Sequence, residues 1–446
     1  MREQDAMDVM NDSMIDEMID LFGRGIDKAK LLGAASVKLS FSRHESHSCR
    51  FSGGRLKTTN TRRGMSYHIS AIVDGRLGGV GGNRLRDFDT LLKRAVSLAP
   101  HGNRVYFDVY PAPSEYVQVQ TYSPRTAELT RQEMVDACRT INDALIGHDD
   151  ELYVETGSSK SISESLLMTS GGVVNKNTAT GWGLHGGAVR TTGTDIFHAG
   201  AGRGWKHLND LWDPQYIIDR TVRDLGMSAT IVPAPSGKMK ALLDPGVFGA
   251  FLSPVTMGIN GRSVAQGNSP LAGRLGEQLL DAAITLVDNP HRDWAAAVCM
   301  DGDGVPTSVH HVVADGVLKM FLYDLDTAAM VGQQATGNSG CGLYGLEIPG
   351  GGRTHEQMLA SIDEGIYIRG MLGFGQGNLA SGDFSANLSP GYLIRNGEIV
   401  GRIKNTMIAG NLFDLLQDGV ELSSDYERPG RVPWALIDGI NVSAAR

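Results

Sequence analysis

The sequence predicts an α+β protein, in which a helix-containing N-terminal region with antiparallel hairpins is followed by a mainly antiparallel, β-rich C-terminal domain. Three observations support this prediction. The 446 residues exceed what one ordinary hydrophobic core holds, so two or three domains are expected. Helical stripes of apolar residues occur in the first half, whereas short alternating runs dominate the second. The 57 glycines, many of them paired, indicate frequent hairpin turns and bulges.

Changes in composition indicate where the domains meet. The segment 229–238 reads ATIVPAPSGK, and its prolines, serine and glycine are typical of a linker. We therefore predict an N-terminal α+β region over residues 1–228, which could divide into subdomains 1–122 and 123–228. The β-rich domain is predicted over residues 239–446.

The first elements follow from two periodicities. Residues 11–32 place apolar side chains on one helical face, and Gly33 provides a stop. Residues 37–41 then alternate between apolar and polar, which is typical of a strand. Hairpin turns are predicted at residues 52–54 and at Asp74-Gly75, because both contain glycine between strand-like runs.

Further helices and strands complete the N-terminal region. A second helical stripe covers residues 86–99. Thr130 and Glu133 fit a capping box, in which each side chain accepts from the other residue's free backbone N–H, so a helix is predicted to start there. Residues 151–202 are strand-like, and Asp213-Pro214 predicts the start of a helix that runs to about residue 225. The inward face of the capped helix comprises Met134, Cys138, Ile141 and Leu145.

The C-terminal half contains few helical patterns. One short helix is predicted from Pro245. Strong turn signals separate apolar runs at 301–304, at Asp315-Gly316 and at Asn396-Gly397, so residues 292–446 are predicted to be mostly short strands.

Charge and hydropathy exclude several classes of function. The formal net charge of -9 does not favour binding to nucleic acid or to an anionic membrane. No run of about 18 apolar residues is present, and the acidic N-terminus does not resemble a signal peptide. The cysteines are widely spaced without a CxxC pair, which argues against a disulfide framework and a zinc knuckle and predicts a cytoplasmic protein. They are Cys49, Cys138, Cys299 and Cys341.

The nucleotide and nucleophile motifs are weak or missing. Residues 181–186 match GxGxxG, but the chain continues as a strand instead of opening a helix, so a glycine-rich strand is the better interpretation. Neither GxxxxGK[ST] nor GxSxG occurs in the sequence. Cys138 lies on the buried stripe of a helix, where a packed thiol is more common than a nucleophile.

Metal-ligand spacing is also poor. His44 and His47 lie three positions apart in a strand-like segment, so their side chains point to opposite faces. The pair His310-His311 has the same difficulty. Asp301 and Asp303 are interpreted as turn residues, because no calcium-loop pattern continues from them.

Separated segments of the C-terminal half resemble the TldD/PmbA family in content and order. They are Thr336-Gly337-Asn338, Gly382-Asp383-Phe384-Ser385, the stretch 391–399, the run 407–412 and Leu436-Ile437-Asp438-Gly439. The resemblance extends over nearly the whole chain, although it is looser in the hairpins of residues 37–80. Its TldD-type members are zinc peptidases with an HExxxH helix, whose glutamate activates the metal-bound water, and a later cysteine ligand.

The resemblance also implies where the zinc ligands should lie. The family helix precedes a Gly-Arg-Leu-Gly element, which stands here at residues 273–276. Counting back, the two histidine positions fall on Leu252 and Met257, and the glutamate position falls on Ser253. Leucine cannot ligate zinc, and a lone thioether is a poor ligand for it. The region expected to hold the cysteine, ERPGRVPWALIDG, contains none.

The resemblance therefore implies a PmbA-type (TldE-type) subunit with no catalytic residues and no metal or other cofactor of its own, in complex with a TldD-type partner that carries the zinc. Together such subunits degrade small or unfolded polypeptides and remove leader peptides from peptide antibiotics. One alternative is a homodimeric peptide-binding scaffold without a catalytic partner. Another is an enzyme that uses unrelated His and Asp residues. Extended peptides suit binding to a sheet edge, although the sequence does not indicate which edge.

The signature residues have two interpretations. Asp383, Phe384, Ser385, Thr336 and Asn338 are candidates for a peptide cleft. Asp383 and Ser385 could equally shape a turn. Ser253 is expected to be an ordinary residue at a helix start, because no histidine is spaced to serve as its base.

Overall fold

The computed structural model describes residues 12–292, 297–428 and 430–444. The N-terminal half contains seven strands: β1 (Ser36–Ser52), β2 (Arg55–Val73), β3 (Arg76–Gly82), β4 (Asn103–Arg104), β5 (Tyr153–Thr169), β6 (Val174–Thr192) and β7 (Asp195–Trp205). Its helices are α1 (Asp12–Leu31), α2 (Phe88–Leu98), α3 (Pro124–Ala127), α4 (Arg131–His148) and α5 (Pro214–Met227).

These strands form one antiparallel sheet in the order β4-β3-β2-β1-β5-β6-β7. Alternate residues of β1, among them Leu39 and Phe41, are buried under α1 and α2, because side chains of a strand alternate between faces. Farther along the same face, Cys49 and Phe51 pack against α4 and the cluster that includes α5. The helices therefore cover one face of the sheet.

Turns and helix ends in this half occur where the sequence predicts them. Gly53 and Gly54 connect β1 to β2, and Asp74 with Gly75 connects β2 to β3, all with positive φ. The capping box is confirmed, because Thr130 and Glu133 each accept a backbone N–H of the other. The segment that matches GxGxxG lies inside β6, which confirms the strand interpretation.

The C-terminal half contains the remaining elements. Its strands are β8 (Ile231–Val232), β9 (Gly237–Leu243), β10 (Leu286–Asp288), β11 (His310–Ala314), β12 (Val317–Leu318), β13 (Leu346–Glu347), β14 (Glu364–Ile368), β15 (Met371–Leu372), β16 (Asp383–Leu388), β17 (Gly391–Arg395), β18 (Glu398–Ile403), β19 (Thr406–Asn411), β20 (Glu421–Tyr426) and β21 (Pro433–Ala444). Its helices are α6 (Pro245–Phe251), α7 (Ser253–Gly258), α8 (Gly261–Ala265), α9 (Leu325–Val331), α10 (His355–Ala360) and α11 (Leu412–Leu416).

Two sheets organise this half. A ten-stranded sheet has the order β15-β16-β19-β21-β9-β14-β17-β18-β8, with β20 added to β21, and a four-stranded sheet has the order β12-β11-β10-β13. Most pairs are antiparallel, as predicted; β9 with β14 and β18 with β8 are parallel. The short strand β8 lies inside the segment predicted to be a linker and pairs with Arg402 and Ile403. The domain bounds themselves stay a prediction.

Cys49 of β1 and Cys138 of α4, far apart in sequence, are buried with their Sγ atoms 3.5 Å apart, and both are free thiols.

None of the helices within the described ranges is long and apolar enough to cross a membrane.

Candidate functional site

The positions at which the family resemblance places zinc ligands lie at a break between two short helices. Leu252 lies between the end of α6 and the start of α7, which begins with Ser253 and has Pro254 as its second residue. The side chain of Leu252 is 0% exposed and belongs to the C-terminal core, whereas that of Met257 is 55% exposed. Two positions that would have to face one ion therefore lie in opposite environments.

The donor atoms at these positions do not fit zinc. Leu252 has none, the thioether of Met257 is a poor ligand, and Ser253 offers a neutral hydroxyl whose Oγ is buried without a hydrogen-bond partner among the described residues. In the ranges that the structure covers, no group of three or more His, Cys, Asp or Glu is arranged to hold a metal ion.

The signature strand lies beside this break. The 3₁₀ turn Leu379–Ser381 packs against α7 and leads into Asp383, the first residue of β16. The exposed Asp383 carboxylate accepts hydrogen bonds from Asn411 Nδ2 and from Ser381 Oγ, both at 2.9 Å. These two bonds, that from Asn411 first, lower the pKa of Asp383 below its usual value.

The strand alternation separates Phe384 from its neighbours. Phe384 is 4% exposed, and its ring centroid lies 5.0 Å from that of Phe251 and 5.6 Å from that of Phe374. Its side chain therefore packs in the core. Ser385 points to the other face of β16 and is exposed.

Thr336 and Asn338 belong to a different place. Thr336 Oγ1 accepts from the backbone N–H of Tyr323 at 2.9 Å and donates to Asn338 Oδ1 at 2.8 Å. The buried Asn338 Nδ2 in turn donates to Asp288 Oδ2 at 2.7 Å. Asp288 Oδ1 accepts the backbone N–H groups of residues 344 and 345, both at 2.8 Å. The two signature residues therefore support the loop that carries Tyr344.

That loop borders a cavity of about 1050 Å³. Serine, histidine and asparagine side chains of β1, β2, β5 and β6 form one wall, on the sheet face opposite the helices. Residues 297–302 and Tyr344 form the other wall. Ser339 joins the two parts of this second wall, because its Oγ accepts from Gly302 N at 2.7 Å and its N–H donates to the Tyr344 hydroxyl at 3.2 Å.

Only one wall of this cavity has a signal in the sequence. The alternation of serine with apolar residues in β1, at Ser40 and Ser42, indicates a polar sheet face. It carries no information about residues 297–302, which approach that face from the C-terminal half.

Asp301 is the carboxylate most affected by burial in this wall. It is 3% exposed, and its Oδ1 accepts the backbone N–H groups of Asp303 and Val305, both at 2.9 Å. Its Oδ2 has no partner within the described residues. Burial raises the pKa of Asp301 to about 6. Asp303 lies beside it and pairs with Lys38 at 2.5 Å.

A histidine–carboxylate pair lies elsewhere, and its histidine lines a pocket of about 350 Å³. His355 Nδ1 is 2.5 Å from Asp425 Oδ2, and the histidine ring stacks on Trp434 with centroids 4.2 Å apart. No serine or cysteine lines this pocket within the described residues. A nucleophile of the kind that such a pair activates is therefore missing from its described lining.

Sequence comparisons find proteins similar to this chain, and a family model matches most of its C-terminal half. The profile of the PmbA/TldA metallopeptidase C-terminal domain matches residues 236–444. An uncharacterised protein of Methanocaldococcus jannaschii is 26% identical over 380 residues, which cover 83% of this chain and 87% of that protein. The metalloprotease PmbA of Escherichia coli O157:H7 is 28% identical over 238 residues, 52% of this chain and 51% of that protein, so the match spans about half its length.

A solved structure extends the likeness to the whole fold. TldE from Thermococcus kodakarensis has a TM-score of 0.87 and covers 95% of this chain and 100% of its own. At 21% sequence identity, this similarity concerns the fold alone.

Proposed function

We propose that this chain, whose residues 236–444 match the PmbA/TldA metallopeptidase C-terminal domain, is the metal-free subunit of a zinc-dependent peptidase complex. Its partner would be a TldD-type subunit that carries the zinc and the catalytic residues. The substrates would be small or unfolded polypeptides and the leader peptides of peptide antibiotics. No catalytic step is assigned to this chain's own residues.

One observation carries the proposal, namely the environment of Leu252 and Met257. A zinc ligand needs a donor atom and a free path to the ion. Leu252 has no donor atom and is fully buried. Met257 faces solvent, so the two side chains do not point towards one shared ion position. The opposed burial supports a fold in which this segment serves packing.

A peptidase assay tests the proposal. An unstructured peptide is incubated with this chain alone, with a TldD-type subunit from the same source alone, and with the equimolar mixture, and the metal content of each protein is measured. We expect zinc in the TldD-type subunit only and cleavage that requires both chains. An inert protein at the same concentration replaces this chain in the control mixture.

Other outcomes contradict the proposal in distinct ways. Stoichiometric metal and cleavage with this chain alone would require a site among its other histidines and carboxylates. A stable homodimer that binds peptide but neither joins nor activates the TldD-type subunit would favour the scaffold alternative.

A further inference from the structure

The strand β2 has a long edge that no described strand covers. β1 pairs with β2 along its length, whereas β3 pairs only with residues 67–73. Among the strands at the ends of the sheets, β4, β8, β12, β13 and β15 have two residues each, and β7 has eleven. The stretch 55–66 is therefore an unusually long open edge, and such an edge is a template for an added strand.

The direction of the main-chain groups on this edge follows from one hydrogen bond. Ala35 N donates to Ile72 O at 2.8 Å, so the carbonyl of Ile72 points towards β1. The register between β1 and β2 is unbroken from Thr58 to Ile72, and hydrogen-bonding direction alternates along an antiparallel strand. Between residues 58 and 66, the odd-numbered residues, Thr59 among them, therefore direct their N–H and C=O groups away from β1; the register shift at residue 57 ends this alternation.

The edge is also positively charged. Residues 55–63 are all exposed and include four basic residues and no acidic one. They are Arg55, Lys57, Arg62 and Arg63. Arg63 pairs with Glu45 at 3.1 Å, whereas none of the described acidic residues pairs with the other three. In a chain of net charge -9, this is a local positive surface that suits a negatively charged partner.

The terminal strand β7 offers the second long edge of this sheet, but it is less suited to such a partner. The edge strand β7 contains Gly200, Gly202 and Gly204, which offer no side chain to hold a register. Its acidic residue, Asp195, is engaged by Arg402 and Lys404. A second copy of this chain is equally unsuited to β2, because pairing the edge with itself would bring basic residues against basic residues.

We propose that residues 55–66 bind an extended acidic polypeptide, which pairs with the outward main-chain groups of β2 as an additional strand. This inference rests on the proposed function and names the class of substrate that this subunit would present to the complex. Main-chain hydrogen bonds would provide binding to extended chains of any sequence, and the basic side chains would select acidic ones.

The direct test measures binding without cleavage. A fluorescein-labelled peptide of alternating Glu and Thr, twelve residues long, is titrated with the full chain at low salt, and fluorescence anisotropy is recorded. The matched peptide contains Lys in place of Glu. We expect the acidic peptide to bind and the basic one not to bind, with affinity falling as salt is added because exposed charges are screened.

Two pairs of variants locate the site. Thr59→Pro removes an outward N–H but no hydrogen bond to β1, so we expect at least about tenfold weaker binding, whereas Thr59→Val keeps the N–H and the affinity. Lys57→Gln/Arg62→Gln should also weaken binding about tenfold, since each exposed ion pair contributes up to about fivefold. Its control, Lys93→Gln/Arg94→Gln, removes two exposed charges from α2 and should change nothing.

Three outcomes would overturn the inference. The first is equal binding of acidic and basic peptides. The second is unchanged binding by Lys57→Gln/Arg62→Gln, which decides the question even where Thr59→Pro fails to fold. The third is a change of oligomeric state in that double variant, seen by sedimentation, which would assign the edge to a second copy. The binding assay contains no zinc subunit, so a negative binding result does not contradict the proposed role in cleavage. A negative cleavage result likewise does not contradict peptide binding at this edge.

Discussion

Leu252 and Met257 illustrate how burial decides the role of single residues here. Leu252 joins the C-terminal core and has no exposed surface, while Met257, five residues later, is more than half exposed. Burying a leucine side chain contributes about 1.5–3 kcal/mol by removing apolar surface from water. Leu252 is therefore a stabilising core residue at a position where the family resemblance implies a ligand.

Replacing Leu252 should accordingly affect stability. We expect Leu252→Ala to lower the free energy of unfolding by about 2–5 kcal/mol, because a cavity remains in a packed core. Met257→Ala should change it by about 0.5 kcal/mol or less, since most of that side chain already contacts water. Urea denaturation followed by circular dichroism compares the two. Equal losses would show that Leu252 is not packed as described.

The burial of Asp301 makes the stability of the folded protein depend on pH. Because burial raises its pKa in the folded protein to about 6, above the unfolded value of about 3.9, the folded state binds its proton more tightly. The associated stabilisation is complete below pH 4 and is lost as the pH rises through 6.

Asp301→Asn should remove this pH dependence. The variant keeps an oxygen that can accept from Asp303 N and Val305 N, but it cannot ionise. Between pH 4 and 7 we expect the stability of the native protein to fall relative to the variant by up to about 3 kcal/mol. Chemical denaturation at several pH values measures the difference. Asp315→Asn, in an exposed turn, is the control and should show no such trend.

At the scale of elements, helix α4 depends on its N-terminal box. Thr130 Oγ1 accepts from Glu133 N at 3.2 Å, and a Glu133 carboxylate oxygen accepts from Thr130 N at 2.7 Å. These bonds satisfy donors that a helix start leaves unpaired. The capped helix then places Cys138 and Ile141 against the sheet, so the cap also fixes where α4 crosses β1.

Thr130→Ala should therefore lower the free energy of unfolding by about 1 kcal/mol. Thr140→Ala is the matched control, because Thr140 is exposed within the same helix and alanine favours helix more than threonine does. It should be neutral or slightly stabilising. Thermal melts of both variants provide the comparison, and a Thr140→Ala loss as large as that of Thr130→Ala would contradict a specific role for the cap.

At the scale of the whole molecule, a buried ionic network joins the two halves. Arg220 and Asp224 of α5 meet Asp244, which caps α6, and Arg369, which follows β14. Asp244 Oδ2 lies 3.0 Å from an Arg220 nitrogen and 2.9 Å from the Tyr367 hydroxyl. Asp224 lies 3.3 Å from Arg369. The N-terminal half thus supplies Arg220 and Asp224, and the C-terminal half supplies Asp244, Arg369 and Glu427, whose carboxylate lies 3.5 Å from Arg220.

Removing one member should uncouple the halves. Arg220→Gln leaves Asp244 with less compensation in a buried site, so we expect a loss on the order of 3–5 kcal/mol. Unfolding followed separately by tryptophan fluorescence and by circular dichroism should lose its single shared transition. Arg223→Gln, exposed on the same helix, should unfold as the native protein does. A shared transition of unchanged midpoint in Arg220→Gln would mean that the network does not couple the halves.

The sequence by itself determined the local elements. The hairpin turns at Gly53-Gly54 and Asp74-Gly75, the start of α4 at Thr130 and the start of α5 at Asp213 all depend on backbone conformation and capping within a few residues. The family signature likewise depends on short segments in order along the chain, and the comparisons confirm it.

Only the tertiary structure decided which distant residues meet. It separates Thr336 and Asn338, which support a cavity wall, from Asp383 and Ser385, which lie beside the helix break, although one signature contains both groups. It brings Cys49 to Cys138 and leaves one edge of β2 open. The physical reason is that periodicity reports which face of an element is apolar, whereas contacts between faces depend on the packing of all elements together.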